Sequence, residues 1–395
     1  MKNPSGTGDR GDECQAVVGG NNAFAFDLFS RLGGGGAGSE QKGNLFISPF
    51  SISAALAMTW AGARGETETQ MTKVLRFPLP RERQHAAFAL LLDRVARAGG
   101  RPRCTISTAN ALWGQKGLGF QDEFLKKTRD CYGAGFNEVD FRRDVEAARL
   151  RINDWVKGET AGKIKELIAR ETLTPATCLV LTNAVHFKAD WKFRFDAAKT
   201  VSAPFRISAG KEVTLPLMTQ KGRFRYVHGE GMQAVEMPYA GGTLSMVVLL
   251  PDDPDGLDVL ERSLSAVEFD RVLASMRERE ISLSLPRFAL ASNNDIAKTL
   301  AGMGMPAPFS GTADFSGITA SEKLFISHIL HQACIDVYEA GAEAAAATAV
   351  VMEKMSLPEP PPSFRADHPF LFAIRHVETG AILFLGRLVD PPRTR

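Results

Sequence analysis

The five cysteines, Cys14, Cys104, Cys131, Cys178 and Cys334, are too few and too scattered to frame a fold. No C-x-x-C pair occurs among them, which removes the usual spacing of a structural zinc site and of a small disulfide scaffold. Free thiols in a reducing compartment are the expectation. An excess of one charge is also lacking: 47 basic against 45 acidic side chains leave +2 on 395 residues. A nucleic-acid protein that draws its affinity from counterion release would need more. No apolar run reaches the ~18 residues of a membrane-spanning helix. The opening MKNPSGTGDRGDECQAVVGG has no apolar stretch of ~7–15 residues behind Lys2, so no signal peptide is visible. Cytoplasm is the expected compartment; an extracellular one would require an incomplete N-terminus or unconventional secretion.

Catalytic signatures are missing too. There is no nucleophile elbow, no H-E-x-x-H, no P-loop and no EF-hand loop. Gly33, Gly35 and Gly38 fit G-x-G-x-x-G, but they follow a helical pattern instead of a strand, the wrong context for a dinucleotide. His328 and His331 stand three apart among Phe325-Ile326-Ser327 and Ile329-Leu330, a setting that predicts a strand and turns the two rings to opposite faces. No metal site and no cofactor follow. Arg94, Arg97, Arg101 and Arg103 could hold a polyanion weakly, although a solvated helix end is the plainer reading.

What is present is a globular composition, 44% hydrophobic and 23% charged. Residues 1–20, rich in Gly, Asp and Ser, are expected to form a disordered tail, and 21–395 a single domain, a monomer. Helical spacing covers Asn22–Leu32, Ser51–Ala61, Arg81–Ala98 and Asp144–Ala169. Cys178–Phe187 and Ser245–Leu250 are continuous apolar runs, as in strands covered on both faces. Ile281–Phe288 alternates, and Pro369–Arg375 with Ile382–Leu388 flank a Glu378-Thr379-Gly380 turn, a hairpin signal. With no linker and no repeat, the pattern is one large α/β or α+β domain.

The segment 339–358, EAGAEAAAATAVVMEKMSLP, fits an enzyme least. Alanine propensity predicts a helix, but Gly341 interrupts the run and Pro358 with Pro360-Pro361-Pro362 follows as an extended tail. With period two, positions 342, 344, 346, 348, 350 and 352 read Ala, Ala, Ala, Thr, Val and Met, while Glu343 and Glu353 fall on the other face. One face is thus small and uncharged, fit to slide between existing strands.

This hinge, Glu339, Gly341, Ala342, then Glu343-Ala344-Ala345-Ala346-Ala347-Thr348, resembles that of a serpin. Further motifs stand in family order: Asn44-Leu45-Phe46-Ile47-Ser48-Pro49 with Ser51 and Ser53; Asn183 through Lys188, then Trp191; Asp314-Phe315-Ser316-Gly317; His331; and His368-Pro369-Phe370-Leu371-Phe372 before Gly386-Arg387. The resemblance covers about Asn22 to Pro391. It implies an α+β fold of three β-sheets and about nine helices, with an exposed reactive-centre loop at about 339–362. Ser48, Pro49, Ser51, Asn183 and His331 would form the shutter, and Trp191 would mark the breach. The implied activity is inhibition of a serine protease, not catalysis. The target cuts the loop, is held as an acyl-enzyme, and is carried ~50 Å (sixteen residues at ~3.3 Å) as the loop enters the main sheet.

In inhibitory members the cut lies sixteen residues after the hinge glutamate. That count gives Met355–Ser356, suited to the apolar pocket of an elastase-, chymotrypsin- or subtilisin-like enzyme. A slip of one gives Lys354–Met355, suited to a trypsin-like pocket. The family usually has Thr or Ser where this chain has Ala342. A non-inhibitory carrier, chaperone or storage role, or inhibition of a cysteine protease, stays open as an alternative.

Overall fold

The computed structural model describes residues 6–34, 43–99, 103–133, 135–339 and 360–392. Its helices are α1 (Gly6–Leu32), α2 (Pro49–Trp60), α3 (Gly65–Val74), α4 (Arg81–Gly99), α5 (Asp122–Tyr132), α6 (Val145–Glu159), α7 (Leu257–Ser263), α8 (Ala266–Ser275) and α9 (Ala297–Gly302). The strands begin with β1 (Leu45–Ile47), β2 (Cys104–Gln115), β3 (Gly135–Val139), β4 (Leu179–Ala189), β5 (Val201–Ser208), β6 (Lys211–Gly229) and β7 (Met232–Pro238). They continue with β8 (Leu244–Pro251), β9 (Arg277–Pro286), β10 (Phe288–Asp295), β11 (Ile326–Val337), β12 (Ser363–Arg365), β13 (Phe370–His376) and β14 (Ile382–Leu388).

The five-stranded sheet has the order β10-β11-β4-β2-β3. Its two middle strands, β4 and β11, run parallel from Ile326 opposite Leu179 to Ile335 opposite Phe187. β2 and β10 are antiparallel to their inner neighbours. The other strands follow the order β1-β14-β13-β8-β7-β6-β9-β12, with β5 also on β6. Three sheets were expected, and here two of them share one strand. β6 is 19 residues long and pairs with β5 at its start, with β9 along its middle and with β7 at its end, so one hydrogen-bonded network carries both.

Helix α2 lies wholly inside, every residue from Pro49 to Trp60 buried. Its apolar and small side chains all round suit a helix surrounded by protein. Phe46 of β1 stacks on Phe384 and Phe372, with ring centroids 5.3 and 5.8 Å away. The predicted β13–β14 hairpin is present, Phe370 pairing with Leu388 through to Ile374 with Phe384.

Three sequence expectations are corrected. The N-terminal segment is not a disordered tail from residue 6 onward. It is the first half of α1, with Cys14, Val17 and Val18 buried at helical spacing. Its consecutive glycines read as loop, yet Gly20 serves packing: a Cβ there would stand 2.1 Å from the Arg76 carbonyl oxygen. The helix expected over Asp144–Ala169 ends at Glu159. Beyond it, Ala161 and Gly162 take positive φ and the chain folds back. Asn153 then binds both Leu167 N and Ile168 N through its Oδ1 (3.0 and 2.9 Å), mimicking a continued helix. The strand expected at Ile281–Phe288 is two strands in different sheets, divided at Pro286-Arg287.

The paired glycines of α1 give a test. Gly19 has nothing within 4 Å of an added Cβ. Gly19→Ala is therefore expected to raise stability by about 0.8–1 kcal/mol, and Gly20→Ala to lower it by about 1–3 kcal/mol through backbone displacement. Urea midpoints that move the same way for both variants would contradict this packing.

Candidate functional site

The middle of the five-stranded sheet carries a row of polar side chains. In register, Asn110 of β2 faces Asn183 of β4, and Asn183 faces His331 of β11. Paired residues project from the same face, so strand pairing alone puts the three side chains side by side. On that face sits the N-terminus of α2. Ser48 caps the helix, its Oγ accepting from Ser51 N (3.4 Å) and donating to Leu383 O of β14 (2.9 Å). Pro49 occupies the first turn, where its missing N–H costs no hydrogen bond.

The bonds among these groups form one network. Asn183 Nδ2 donates to Ser51 Oγ and to Asn110 Oδ1, both at 2.6 Å, and Ser51 Oγ donates to Asn110 Oδ1 (3.1 Å). His331 Nδ1 lies 2.5 Å from Asn183 Oδ1, and Ser48 N donates to His331 Nε2 at 3.1 Å. A backbone N–H can only donate, so Nε2 must carry the lone pair and Nδ1 the hydrogen. The ring is a neutral imidazole with a fixed tautomer. Its surroundings agree: His331 is fully buried, and burial pushes its pKa down to about 3.

The network therefore joins α2, β2, β4, β11 and β14, and the His331–Asn183 bond crosses the parallel seam between β4 and β11. Beside it a cavity of about 220 Å³, lined by Ser48, Ser51 and Asn110 with Val95, Ile106 and Phe384, leaves room for side chains to shift. The sequence reading had Ser48, Pro49, Ser51, Asn183 and His331, and the structure brings them together. It missed Asn110, whose only signal is its register position.

A second cluster lies at the other end of the seam. Trp191 follows β4, stacks on Tyr239 at 4.5 Å and 10°, and donates Nε1–H to Tyr338 O just after β11 (3.0 Å). It thus spans the ends of both central strands. Glu339, the first residue of the hinge, is held by Thr200 Oγ1 (2.9 Å) and by Arg287, 3.9 Å away. The rest of the hinge, Gly341, Ala342, Glu343, Ala344, Ala345, Ala346, Ala347 and Thr348, lies outside the described residues. So do Lys354, Met355 and Ser356 of both reactive-bond assignments. The chain resumes at Pro360 and enters β12, parallel to β9 at the edge of the larger sheet. The segment 340–359 thus connects the end of β11 in one sheet to the edge of the other.

The remaining expected groups separate. His328 does not join His331; it pairs with Asp295 Oδ2 at 2.7 Å, and burial of His331 leaves no shared ligand face. Arg94 and Arg97 are exposed on α4, Arg97 paired with Asp93 at 2.6 Å. Arg101 lies outside the described residues, and Arg103 turns toward the Trp191 end.

The neutral His331 generates a prediction about acid. An unfolded chain protonates this ring below about pH 6.5, the folded one only near 3. In that window the unfolded state binds the extra proton, so stability falls with falling pH, by up to ~1.4 kcal/mol per unit. His331→Gln is expected to be less stable at pH 7 and to lose less between pH 7 and 5. Parallel losses in urea midpoints for both proteins would show that the ring is not held neutral.

Comparison with known proteins adds to this geometry. The family model Serpin (serine protease inhibitor) matches residues 19–391. The Leukocyte elastase inhibitor of Bos taurus is 42% identical over 380 residues, 94% of this chain and 98% of that one. An uncharacterised serpin-like protein of Thermococcus kodakarensis is 39% identical over 378 residues, 95% of this chain and 86% of that one. Among solved structures, uncleaved ovalbumin superposes with a TM-score of 0.85 at 32% identity, covering 95% of this chain and all of the other. Maspin gives 0.87 at 25%, covering 96% and 100%. None of the five cysteines is disulfide-bonded, and no helix among the described residues is long and apolar enough to cross a membrane. Family and architecture agree: the chain belongs to the serpin family of serine protease inhibitors, which are inhibitors and not enzymes.

Proposed function

We propose that this chain traps an elastase-, chymotrypsin- or subtilisin-like serine protease by suicide cleavage of its reactive loop, followed by insertion of that loop into the five-stranded sheet. The observation that carries the reading is the β4–β11 seam. These two neighbours are parallel, and β11 ends at Val337, two residues before Glu339. A strand entering between them from that end runs antiparallel to both. One parallel interface is exchanged for two antiparallel ones, which are slightly stronger per residue.

The side-chain pattern suits that insertion. Ala342, Ala344, Ala346 and Thr348 share one face of the segment, and their small size limits the volume the sheet must accept. Parting the strands breaks the Asn183–His331 bond and the His186–Asp336 contact (3.5 Å) in addition to the backbone ladder.

The chemistry is that of the protease up to the trapped stage. Its serine oxygen attacks the Met355 carbonyl carbon, the Met355–Ser356 amide breaks, and the serine proton passes to the new amine of Ser356. Met355 remains as an ester on the protease. Insertion then competes with hydrolysis of that ester, and the unbranched apolar Met355 is what directs the protein to an apolar primary pocket. The relatives named Leukocyte elastase inhibitor support the same target class. Thiols free of disulfides suit a reducing compartment, so we place the protein in the cytoplasm. It acts as a monomer with one protease partner.

Incubation with elastase, chymotrypsin and trypsin, followed by denaturing electrophoresis, tests the reading. A denaturation-resistant adduct with elastase or chymotrypsin is expected, with the released fragment beginning at Ser356. Cleavage with full protease activity retained would instead mark a non-inhibitory member, and a fragment beginning at Met355 would move the reactive bond to Lys354–Met355.

A charge on the inserting face supplies a second test. Ala344→Arg is expected to be cut at the same bond but to form at least tenfold less adduct, since insertion would bury an unpaired guanidinium. Adduct formation equal to that of the parent protein would contradict insertion.

A further inference from the structure

Positive charge is unevenly placed on this nearly neutral chain. A groove of about 930 Å³ opens next to Trp191, where the segment after β4 runs past β6 and the start of β2. Its walls carry Arg103, Lys192, Arg194, Lys199 and Lys221 against a single carboxylate, Asp196. Lys199 faces Asp196 at 3.8 Å, and Lys221 faces Glu280 at 3.4 Å. Arg103, Lys192 and Arg194 have no carboxylate within ion-pair distance among the described residues. Such a concentration of like charge raises the local potential and is favoured only when an anion answers it.

Two further features argue for a built site. Arg103 holds φ at +76°, a left-handed conformation that non-glycine residues rarely adopt. It is fixed there by Asp190 N donating to its carbonyl (2.8 Å), which turns the residue into the groove mouth. The two neutral polar side chains in the wall are engaged elsewhere. Thr219 Oγ1 donates to Lys199 O (3.0 Å), and Gln220 Nε2 donates to Phe193 O (3.3 Å). Cationic donors therefore dominate the charge of the groove wall. That suits a ligand made of acceptors alone.

We propose that this groove binds an anion carrying several phosphate groups in series, of the polyphosphate class. Lys192 and Arg194 sit on one segment and Lys221 on another, so a chain of linked phosphates can engage both walls of the groove. The basic residues first noted on α4 are not this site. Only Arg103 of that group belongs to it.

Titration calorimetry with inorganic tripolyphosphate on the full chain is the test, with orthophosphate and a sulfated polysaccharide as parallel probes. Saturable tripolyphosphate binding is expected, at least tenfold tighter than orthophosphate, and weakening by about tenfold or more between 50 and 200 mM salt as counterions are released. The triple variant Lys192→Gln, Arg194→Gln, Lys221→Gln should lose at least tenfold in affinity. The pair Arg94→Gln, Arg97→Gln should leave it unchanged. All five positions are surface side chains, and circular dichroism of each variant separates lost binding from lost fold. Equal affinity for orthophosphate, tighter binding of the sulfated chain, retained binding in the triple variant, or loss in the α4 pair would each overturn the assignment. Because the readout is binding alone, its outcome is independent of whether the protein traps a protease.

Discussion

A parallel seam between β4 and β11, closed by a backbone ladder and by side-chain bonds of which the histidine–asparagine one is fully buried, is the feature on which the other parts of this molecule depend. Parallel neighbours in a sheet are ordinarily joined by a crossover and buried on both faces. Here they lie at the centre of a five-stranded sheet whose outer strands are antiparallel to them. The central pair is thus the place where an additional strand of the opposite direction fits without disturbing any other pairing. The rest of the fold can be read by how it holds that seam shut or leaves it free to part.

At one level the seam is held by polar groups under the end of α2. Ser48 binds both the neutral ring of His331 and the carbonyl of Leu383, so the helix N-terminus ties the five-stranded sheet to the β13–β14 hairpin. These groups are buried, and an unsatisfied buried donor costs on the order of 1–3 kcal/mol. The network therefore favours the closed arrangement strongly only while every member keeps its partner. At the far end Trp191 and Tyr239 cover the strand ends, and Glu339 is pinned by Thr200 and Arg287. Glu339 is consequently anchored just beyond the end of β11, and the described chain resumes before β12 on the other sheet.

The distribution of charge follows the same division of labour. Under the end of α2 the seam is lined with neutral polar groups, which can part and re-pair without leaving a bare charge in the interior. Formal charge inside the fold is paired, as in Arg387 with Glu261 and Glu236 with Arg225 and Arg375, while the cations around the Trp191 groove stand in water with few counter-ions. The positions 342, 344, 346 and 348 of the segment after Glu339, Ala, Ala, Ala and Thr, carry no charge either.

Much of this was legible in the amino-acid order because it depends on local pattern. Period-two spacing of small residues after Glu339, the apolar runs of β4 and β8, the Glu378-Thr379-Gly380 turn and the ordered motifs from Asn44 to Arg387 each rest on a few adjacent residues. They determined the family and the α+β class. Pairing decided what adjacency cannot express. Asn110 joined Asn183 and His331 through register across three strands. Gly20 belonged to a helix because Arg76, distant in sequence, came within reach. Ile164, Leu167 and Ile168 mimicked helical spacing while Asn153 folded them back. Arg103 left the basic cluster near α4 for a groove formed with residues from Trp191 onward. In each case the deciding contact lies between segments far apart in the chain, where strand pairing and packing act and local propensity has no influence.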